Sequence, residues 1–256
     1  MSFDKRLKDK FWEEGFLIFE TGFRDICFDQ ITQSLDYFWT KKEAPKGILN
    51  HKIQEENLKN GSNRLQDLWE VFPVIREIAI HHDILALLQF LYNDRPKPFQ
   101  TLNFPVGTQQ TVHSDALHFN SKPFGKMCGV WIALEDIEPK SGPLFYYPKS
   151  HLLPELSEEL LGFMPVSDNY SKVIEYWEKQ IDIHKYDRIQ ALLKKGQAII
   201  WHGNLLHGGM PRKDSFTTRH SQVTHYYFGD AKPWRQLTSL NEIQYFEPNW
   251  IPISNL

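Results

Sequence analysis

Residues 126–137 read KMCGVWIALEDI, and this stretch indicates the fold more directly than any other. Its centre is a short run of β-branched and aromatic residues bounded by polar positions, which is typical of a β-strand. Five similar segments share this character and are separated by Gly, Pro or polar turns: FQTLNF (99–104), QQTVHSD (109–115), GPLFYYP (142–148), GQAIIWHG (196–203) and RHSQVTHYYF (219–228). We therefore predict a strand-rich C-terminal half with a jelly-roll-like core.

The N-terminal half has a different pattern. Apolar residues recur at helical spacing over 4–14, 24–42 and 71–94, and a short apolar run at 16–20 predicts a strand. Residues 44–65 are polar and show no period, so we predict a loop that orders over a pocket when substrate binds.

These patterns predict a mainly β protein with helices, in one domain over residues 1–256. A helical layer would occupy about 1–95 and the core about 96–235, interrupted by a helical insert at about 152–195. A chain of 256 residues with 41% hydrophobic composition is long enough to bury such a core without disulfides.

Composition narrows the functional classes. The net charge of −3 and the charged fraction of 24% argue against nucleic acid as the main partner. The N-terminus lacks the apolar core of a signal peptide, and the longest apolar runs are too short to cross a bilayer. Two distant cysteines fit reduced thiols. We therefore expect a cytoplasmic protein with no membrane partner, and composition does not indicate its oligomeric state.

The triplet His113-Ser114-Asp115 is the first candidate site. On a strand, residues two apart point to the same face, so His113 and Asp115 would project together. With a second histidine they would form the two-histidine, one-carboxylate face of non-haem Fe(II) oxygenases. Taken alone, a His-x-Asp pair is more often an ordinary surface feature, and that alternative stays open at this point.

A second segment, WHGNLLHGGMPRKDSFTTRHS (201–221), strengthens the metal hypothesis. His207 ends an apolar run and is followed by two glycines, which allow the backbone to approach a metal closely. Arg219 lies twelve residues later, in the next predicted strand, where its guanidinium can bind a carboxylate with two hydrogen bonds. The sequence thus offers three metal ligands and one carboxylate receptor.

These residues also carry a resemblance. The triplet His-Ser-Asp, the segment WIALEDIEPKSGPLFYYPKSH (131–151), the His-Gly-Gly of 207–209 and Arg219 resemble the phytanoyl-CoA hydroxylase-like family of Fe(II)/2-oxoglutarate oxygenases. The opening FWEEGFLIF (11–19) is similar as well. The resemblance implies a double-stranded β-helix, in agreement with the predicted strands.

The resemblance also implies residue roles. His113, Asp115 and His207 would bind Fe(II), and Arg219 would bind the C5 carboxylate of 2-oxoglutarate. The remaining cosubstrate pocket would be lined by Asn103, Gln110 and Trp131. Some relatives have a hydroxyl residue two positions after the distal histidine, where this chain has Gly209. The missing hydroxyl would be replaced by Thr108 or Ser221.

Several nearby residues compete for roles. His202 lies five residues before His207, too far from Arg219 for the family spacing, so we interpret it as a strand histidine. His118 and Phe119 would stand at the pocket mouth or in a surface loop. His225 falls on the same face of the last strand as Arg219 and either packs or reaches substrate, and Lys122 is a weaker candidate for an anion contact.

The resemblance implies an enzyme that uses Fe(II), 2-oxoglutarate and O2 to hydroxylate or desaturate an unactivated C–H bond of a small molecule, releasing succinate and CO2. Asp115 argues against halogenation, because that chemistry needs the carboxylate position on iron for halide. The alternatives are a metalloenzyme of cupin type that needs no cosubstrate and a non-catalytic jelly-roll binding module.

Overall fold

The computed structural model describes residues 3–41, 64–239 and 242–253. Its N-terminal elements are α1 (Lys5–Glu14), β1 (Phe16–Glu20) and α2 (Asp25–Lys41). After these come β2 (Leu65–Gln66), α3 (Pro73–Ala79) and α4 (His82–Tyr92). These elements agree with the predicted helices at 4–14 and 24–42 and the predicted strand at 16–20.

The C-terminal part is built mainly from short strands. In chain order they are β3 (Pro96–Phe104), β4 (Asn120–Lys122), β5 (Met127–Ala133), β6 (Leu144–Tyr146), β7 (Ile189–Gln190), β8 (Gln197–His202), β9 (His207–Gly209), β10 (Ser221–Phe228) and β11 (Lys232–Trp234). Two helices, α5 (Glu158–Leu161) and α6 (Tyr170–His184), lie between β6 and β7.

The strands form antiparallel sheets. A large sheet has the order β1-β8-β5-β10-β3-β2, a small sheet has the order β7-β6-β9, and β4 pairs with β11. The strands β10 and β5 pair with Val223 opposite Trp131, and β5 and β8 pair with Trp131 opposite Ile199. This mixed α and β architecture with a jelly-roll core confirms the predicted fold class.

Side chains alternate between the two faces of the large sheet. Along β5 and β8, one set that includes Val130 and Ile200 packs against buried residues of the helical layer such as Phe28 and Leu88. The other set, which includes Trp131 and Trp201, faces the small sheet. A cavity of about 460 Å³ lies between the large and small sheets, with walls from β3, β5, β8, β9 and β10.

Three of the predicted element boundaries are wrong. The helix predicted over 71–94 is two helices, because His81 adopts an extended backbone and caps the second one. The predicted loop at 44–65 ends in a strand, since Leu65 pairs with Asn103, and the rest of that prediction up to residue 63 lies outside the described residues. The helical insert predicted at about 152–195 contains β7 near its end, because Ile189 pairs with Tyr146.

Within the described ranges, none of the helices combines the length and the apolar character that crossing a bilayer requires.

One buried titratable group lies between the large sheet and α1. His202, the last residue of β8, is 5% exposed and packs its ring 5.7 Å from that of Trp12 and 5.4 Å from that of His151. Burial, together with the neighbouring His151, lowers the pKa of His202 to about 3. Its Nδ1 accepts a hydrogen bond from the backbone amide of Asn204, which fixes the orientation of the neutral ring.

This burial predicts a pH-dependent stability. Between pH 6.5 and 3 the unfolded chain holds a proton on residue 202 that the folded chain does not, so the free energy of unfolding falls as pH is lowered. We expect His202→Asn, whose side-chain oxygen can still accept from the Asn204 amide, to reduce this slope by about 1.4 kcal/mol per pH unit at most. Urea unfolding of both metal-free proteins across this range measures it, and equal slopes would contradict the assignment.

Candidate metal centre

His113 and His207 are held together by their own backbones. The amide of each donates to the carbonyl of the other at 2.9 Å, which forms an isolated antiparallel bridge next to β9. The imidazole ring centroids lie 4.3 Å apart, and both side chains are buried. Two residues 94 positions apart along the chain are thereby fixed side by side.

The orientation of each ring is fixed by a second contact. His113 Nδ1 lies 2.9 Å from the carbonyl oxygen of Thr111, and His207 Nδ1 lies 2.9 Å from that of Leu205. A carbonyl oxygen can only accept, so each Nδ1 carries the proton and donates. In the neutral ring Nε2 is then the nitrogen without a proton, and its lone pair is the one that can bind a metal.

Asp115 joins the two histidines from a turn. Its Oδ1 lies 3.8 Å from His113 Nε2 and 3.7 Å from His207 Nε2. The strand predicted over 109–115 is wrong, because Ser114 accepts a hydrogen bond from the Ala116 amide and begins a 3₁₀ turn at Asp115. The carboxylate therefore reaches the histidines by a turn of the chain rather than by strand alternation.

The second oxygen of this carboxylate is held from the large sheet. Asp115 Oδ2 accepts a hydrogen bond of 2.8 Å from Trp201 Nε1 and lies 3.4 Å from His225 Nε2. The indole fits there because a neighbouring residue is Gly129, where a Cβ would lie 2.5 Å from the ring. With Oδ2 held in this way, Oδ1 is the oxygen that remains for a metal.

The electrostatics favour a metal-binding state at neutral pH. Burial and the neighbouring His207 lower the pKa of His113 to about 3, so its ring is neutral. Burial alone would raise the pKa of Asp115, but His207 and the hydrogen bond from His225 outweigh it and lower this pKa, so the carboxylate is ionised. The three ligand atoms lie within 4.8 Å of one another. Two imidazole nitrogens and one carboxylate oxygen fit an Fe(II) ion with open positions.

Arg219 lies in the same cavity and is 2% exposed. Its guanidinium carbon lies 5.5 Å from the ring centroid of Phe104 and 5.7 Å from that of Trp131. Its Nη1 donates to the carbonyl of Gly142 at 3.3 Å, and its Nε has no partner within the described part of the chain. Burial lowers the pKa of Arg219 to about 10, which still leaves the group charged at neutral pH. A buried guanidinium with an unsatisfied N–H is suited to bind a carboxylate.

The Ser-Gly-Pro-Leu segment of 141–144 supports this arginine. Gly142 has a φ of +76°, and the chain turns there so that its carbonyl meets Arg219. The Ser-His pair of 150–151 supports the metal site instead. Ser150 accepts a hydrogen bond of 2.8 Å from the amide of Leu206, next to His207. The segment 131–151, which carries part of the family resemblance, therefore contacts both halves of the site.

The cavity wall explains the glycine at position 209. A Cβ there would lie 2.7 Å from Thr108 Oγ1 and 2.8 Å from the amide nitrogen of Gln109. The hydroxyl of Thr108 lines the cavity at this point, whereas Ser221 directs its hydroxyl to the carbonyl of Arg219. Thr108, and not Ser221, therefore lies where a side chain at position 209 would be.

The other predicted pocket residues separate into two groups. Gln110 and Trp131 line the cavity with the triad and Arg219. Asn103 does not: its side chain donates to Gln222 on the opposite face of the large sheet, toward α3. The prediction failed because Asn103 alternates with Leu102 and Phe104, which take the cavity side of β3.

The competing residues also have defined places. His118 and Phe119 line the cavity, as does His225, whereas Lys122 pairs with Glu155 at 3.1 Å. His202 ends β8 and faces the helical layer, while His207 begins β9, so His207 does not end the apolar strand as predicted. Sequence reasoning missed the contact of Trp201 with Asp115, although its position two residues after Ile199 on a buried strand placed it on the Trp131 face.

The large and small sheets with a histidine–aspartate–histidine triad between them define the jelly-roll class of metal-dependent oxygenase folds. The sequence profile of phytanoyl-CoA dioxygenase (PhyH) matches residues 13–221, and the chain belongs to this family. This confirms the resemblance stated from the motifs.

Individual relatives are more distant. The phytanoyl-CoA dioxygenase domain-containing protein 1 of Danio rerio is 28% identical over 132 residues, which are 50% of this chain and 43% of that protein. Its homolog in Caenorhabditis elegans is 18% identical over 94% of this chain and 96% of its own length. The match thus spans less than half of the zebrafish protein but nearly all of the nematode one.

Solved structures share the fold. The non-heme alpha ketoglutarate dependent carbocyclase SnoK from nogalamycin biosynthesis aligns with a TM-score of 0.68 at 15% identity, covering 96% of this chain and 94% of SnoK. EctD from S. alaskensis, solved with 2-oxoglutarate and 5-hydroxyectoine, aligns with a TM-score of 0.66 at 18% identity over 88% of this chain and 76% of EctD. At these identities the likeness supports the fold alone.

The geometry predicts which histidines bind metal. We expect His113→Asn and His207→Asn to weaken Fe(II) binding by more than about a hundredfold, because asparagine can still donate to the nearby carbonyl but cannot replace Nε2. Anaerobic calorimetric titration with Fe(II) measures this. His202→Asn is the matched control, and an unchanged affinity in either ligand variant would move the site elsewhere.

The contact between Trp201 and Asp115 gives a separate prediction. Trp201→Phe keeps an aromatic ring but removes the N–H that holds Asp115 Oδ2, so we expect about tenfold weaker Fe(II) binding. Trp177→Phe is the control, because Trp177 is also a buried tryptophan but lies in α6, outside the cavity. Equal Fe(II) affinities for the two variants would show that the indole does not position the carboxylate.

Proposed function

We propose that this protein is an Fe(II)- and 2-oxoglutarate-dependent dioxygenase that oxidises an unactivated C–H bond of a small molecule. The single observation that supports this most strongly is that the triad and the buried Arg219 share one cavity. A metal site alone would fit several reactions, whereas a buried arginine beside it supports a dicarboxylate cosubstrate.

When bound, Fe(II) with 2-oxoglutarate supplies O2-activating chemistry, with 2-oxoglutarate ending as succinate and CO2. For hydroxylation the balance is one C–H substrate, one O2 and one 2-oxoglutarate giving one alcohol, one succinate and one CO2. Asp115 is compatible with hydroxylation or desaturation, since it keeps the carboxylate that a halogenating site gives up. Fold relatives include an epimerase and a carbocyclase, so we propose cleavage of a C–H bond as the common step.

The chain's own residues have three tasks in this reaction. His113, Asp115 and His207 would hold the metal, and three protein ligands would leave room on it for cosubstrate and oxygen. Arg219 binds the far carboxylate of 2-oxoglutarate, with the hydroxyl of Thr108 as its partner. The apolar wall that includes Leu102, Val223 and Leu144 excludes water from the reacting centre.

The two alternatives are less well supported. A cosubstrate-independent metalloenzyme has no use for the buried guanidinium of Arg219, whose Nε lacks a partner among the described residues. A binding module without catalysis has no need for two buried histidines that both direct Nε2 toward one carboxylate oxygen. We therefore propose the oxygenase function over these two alternatives. The cytoplasmic location is a separate prediction.

The test is formation of succinate from 2-oxoglutarate by Fe(II)-loaded protein across a panel of metabolites, with mass spectrometry of each candidate product. A gain of about sixteen daltons indicates hydroxylation and a loss of about two indicates desaturation. Oxidation of a substrate without consumption of 2-oxoglutarate would favour the cosubstrate-independent enzyme. Failure of Fe(II) to bind would favour the binding module.

Arg219 gives a quantitative prediction. Arg219→Lys keeps the charge but loses the two-pronged contact, so the affinity for 2-oxoglutarate should fall by about 1.5–3 kcal/mol, or roughly ten- to a hundredfold. Anaerobic titration of Fe(II)-loaded protein with 2-oxoglutarate measures the change.

Two hydroxyl variants refine this measurement. Thr108→Val should weaken 2-oxoglutarate binding by about 1 kcal/mol, or roughly fivefold, because it removes one hydrogen bond without changing shape. Ser221→Ala is the matched control, since its hydroxyl contacts the backbone of Arg219 instead. A larger effect of Ser221→Ala than of Thr108→Val would reverse the assignment.

A further inference from the structure

We propose that the substrate carries an anionic group, a carboxylate or a phosphate, which is bound at the mouth of the cavity by Arg64 and Arg235. The inference rests on the proposed function and specifies the chemical class of its substrate. Three observations support it: the position of the two arginines, their lack of acidic partners among the described residues, and the fixed place of one of them. The charge that the site would carry when filled is a further argument.

The two arginines lie at the outer part of the cavity. Both line the same cavity as the metal ligands and both are exposed, whereas Arg219 is buried in its wall. The guanidinium carbon of Arg235 is 5.9 Å from the ring centroid of Phe119, which also lines the cavity.

Neither arginine has an acidic partner in the described part of the chain. Nearby lysines differ in this respect: Lys122 pairs with Glu155 at 3.1 Å and Lys126 pairs with Asp94 at 3.0 Å. Among the described residues that line the cavity, Asp115 is the one carboxylate, and it belongs to the metal site. The described residues of the cavity wall therefore do not neutralise the positive charge of the two arginines.

Arg235 is held in place without using its hydrogen-bond donors on an acid. Its guanidinium carbon lies 4.6 Å from the ring centroid of Phe246, a distance typical of a cation–π contact. A guanidinium packed by its face on a ring keeps the N–H edge available. His118 adds a further polar atom nearby, because its buried Nε2 has no partner among the described residues.

The charge of the loaded site leads to the same conclusion. The positive charges of Fe(II) and Arg219 would be balanced by the negative charges of Asp115 and the two carboxylates of 2-oxoglutarate. The inner site would therefore be neutral when filled. Arg64 and Arg235 then leave two positive charges at the mouth. A negatively charged substrate would be favoured beside these arginines, and a positively charged one would be repelled. A substrate with one or two negative charges complements this end of the cavity.

The experiment uses protein loaded anaerobically with Fe(II) and saturated with 2-oxoglutarate, so that Arg219 is already occupied. The probes are matched pairs: hexanoate and hexanamide, phenylacetate and phenylacetamide, and hexyl phosphate and hexanol. We expect at least one anion to bind more tightly than its neutral partner by about fivefold or more. Raising the salt from about 0.05 to 0.5 M should weaken the anion and not the neutral compound.

Variants connect this preference to the two residues. Arg64→Gln and Arg235→Gln should each reduce the preference for the anion by about threefold to fivefold. Arg95→Gln is the matched control, because Arg95 is also an exposed arginine but does not line the cavity. Circular dichroism confirms folding, and a preference for hexanoate or for hexyl phosphate distinguishes a carboxylate from a phosphate substrate.

Two results would overturn the inference: no saturable binding of any anionic probe, or equal binding of the anion and its neutral partner. An anion preference that Arg95→Gln reduces as much as Arg64→Gln and Arg235→Gln would also contradict it, because net charge would then explain the effect. Fe(II) and 2-oxoglutarate binding are measured first on the same sample. If these bind and the probes do not, only the substrate class is wrong, whereas loss of metal-dependent 2-oxoglutarate binding contradicts the proposed function itself.

Discussion

The arrangement of the site depends on the pairing of two short segments that are distant in sequence. His113 and His207 exchange backbone hydrogen bonds of 2.9 Å, and the Ala116 amide donates to the carbonyl of Gly203 at 2.8 Å. Ser114 adds a contact from its hydroxyl to the same carbonyl at 3.1 Å. These bonds fix both ligating segments before any side chain of the triad is considered. A metal site of this kind requires ligands held in place in advance, and here the backbone holds them.

The surrounding residues convert this pairing into a chemically suitable site. Burial keeps His113 neutral, and carbonyl oxygens fix the tautomer of each histidine. Trp201 holds one oxygen of Asp115 and so leaves the other for a metal. The cavity beyond them has Arg219 buried in its wall and two exposed arginines among its lining residues, and the proposals of a dicarboxylate cosubstrate and an anionic substrate rest on this arrangement.

Much of this was predictable from sequence, and the failures have physical causes. Residue type and spacing, together with the family resemblance, predicted a common site for His113, Asp115, His207 and Arg219, and the structure brings all four to one cavity. The local geometry of Asp115 was not predictable, because a strand and a 3₁₀ turn would both bring its carboxylate near His113. The hydrogen bond from the Ala116 amide to the Ser114 hydroxyl selects the turn. The orientation of side chains along β3 and the contact of Trp201 depend on long-range pairing that periodicity does not specify. Boundaries such as that between α3 and α4 depend on capping by single residues.

The most direct measurement is a crystal structure of the protein grown anaerobically with Fe(II) and 2-oxoglutarate, with anomalous scattering at the iron edge. The account predicts one iron per chain bonded to His113 Nε2, His207 Nε2 and one oxygen of Asp115, with 2-oxoglutarate bound to it and its far carboxylate on Arg219. Iron bound by other residues, or 2-oxoglutarate away from both the metal and Arg219, would contradict the account.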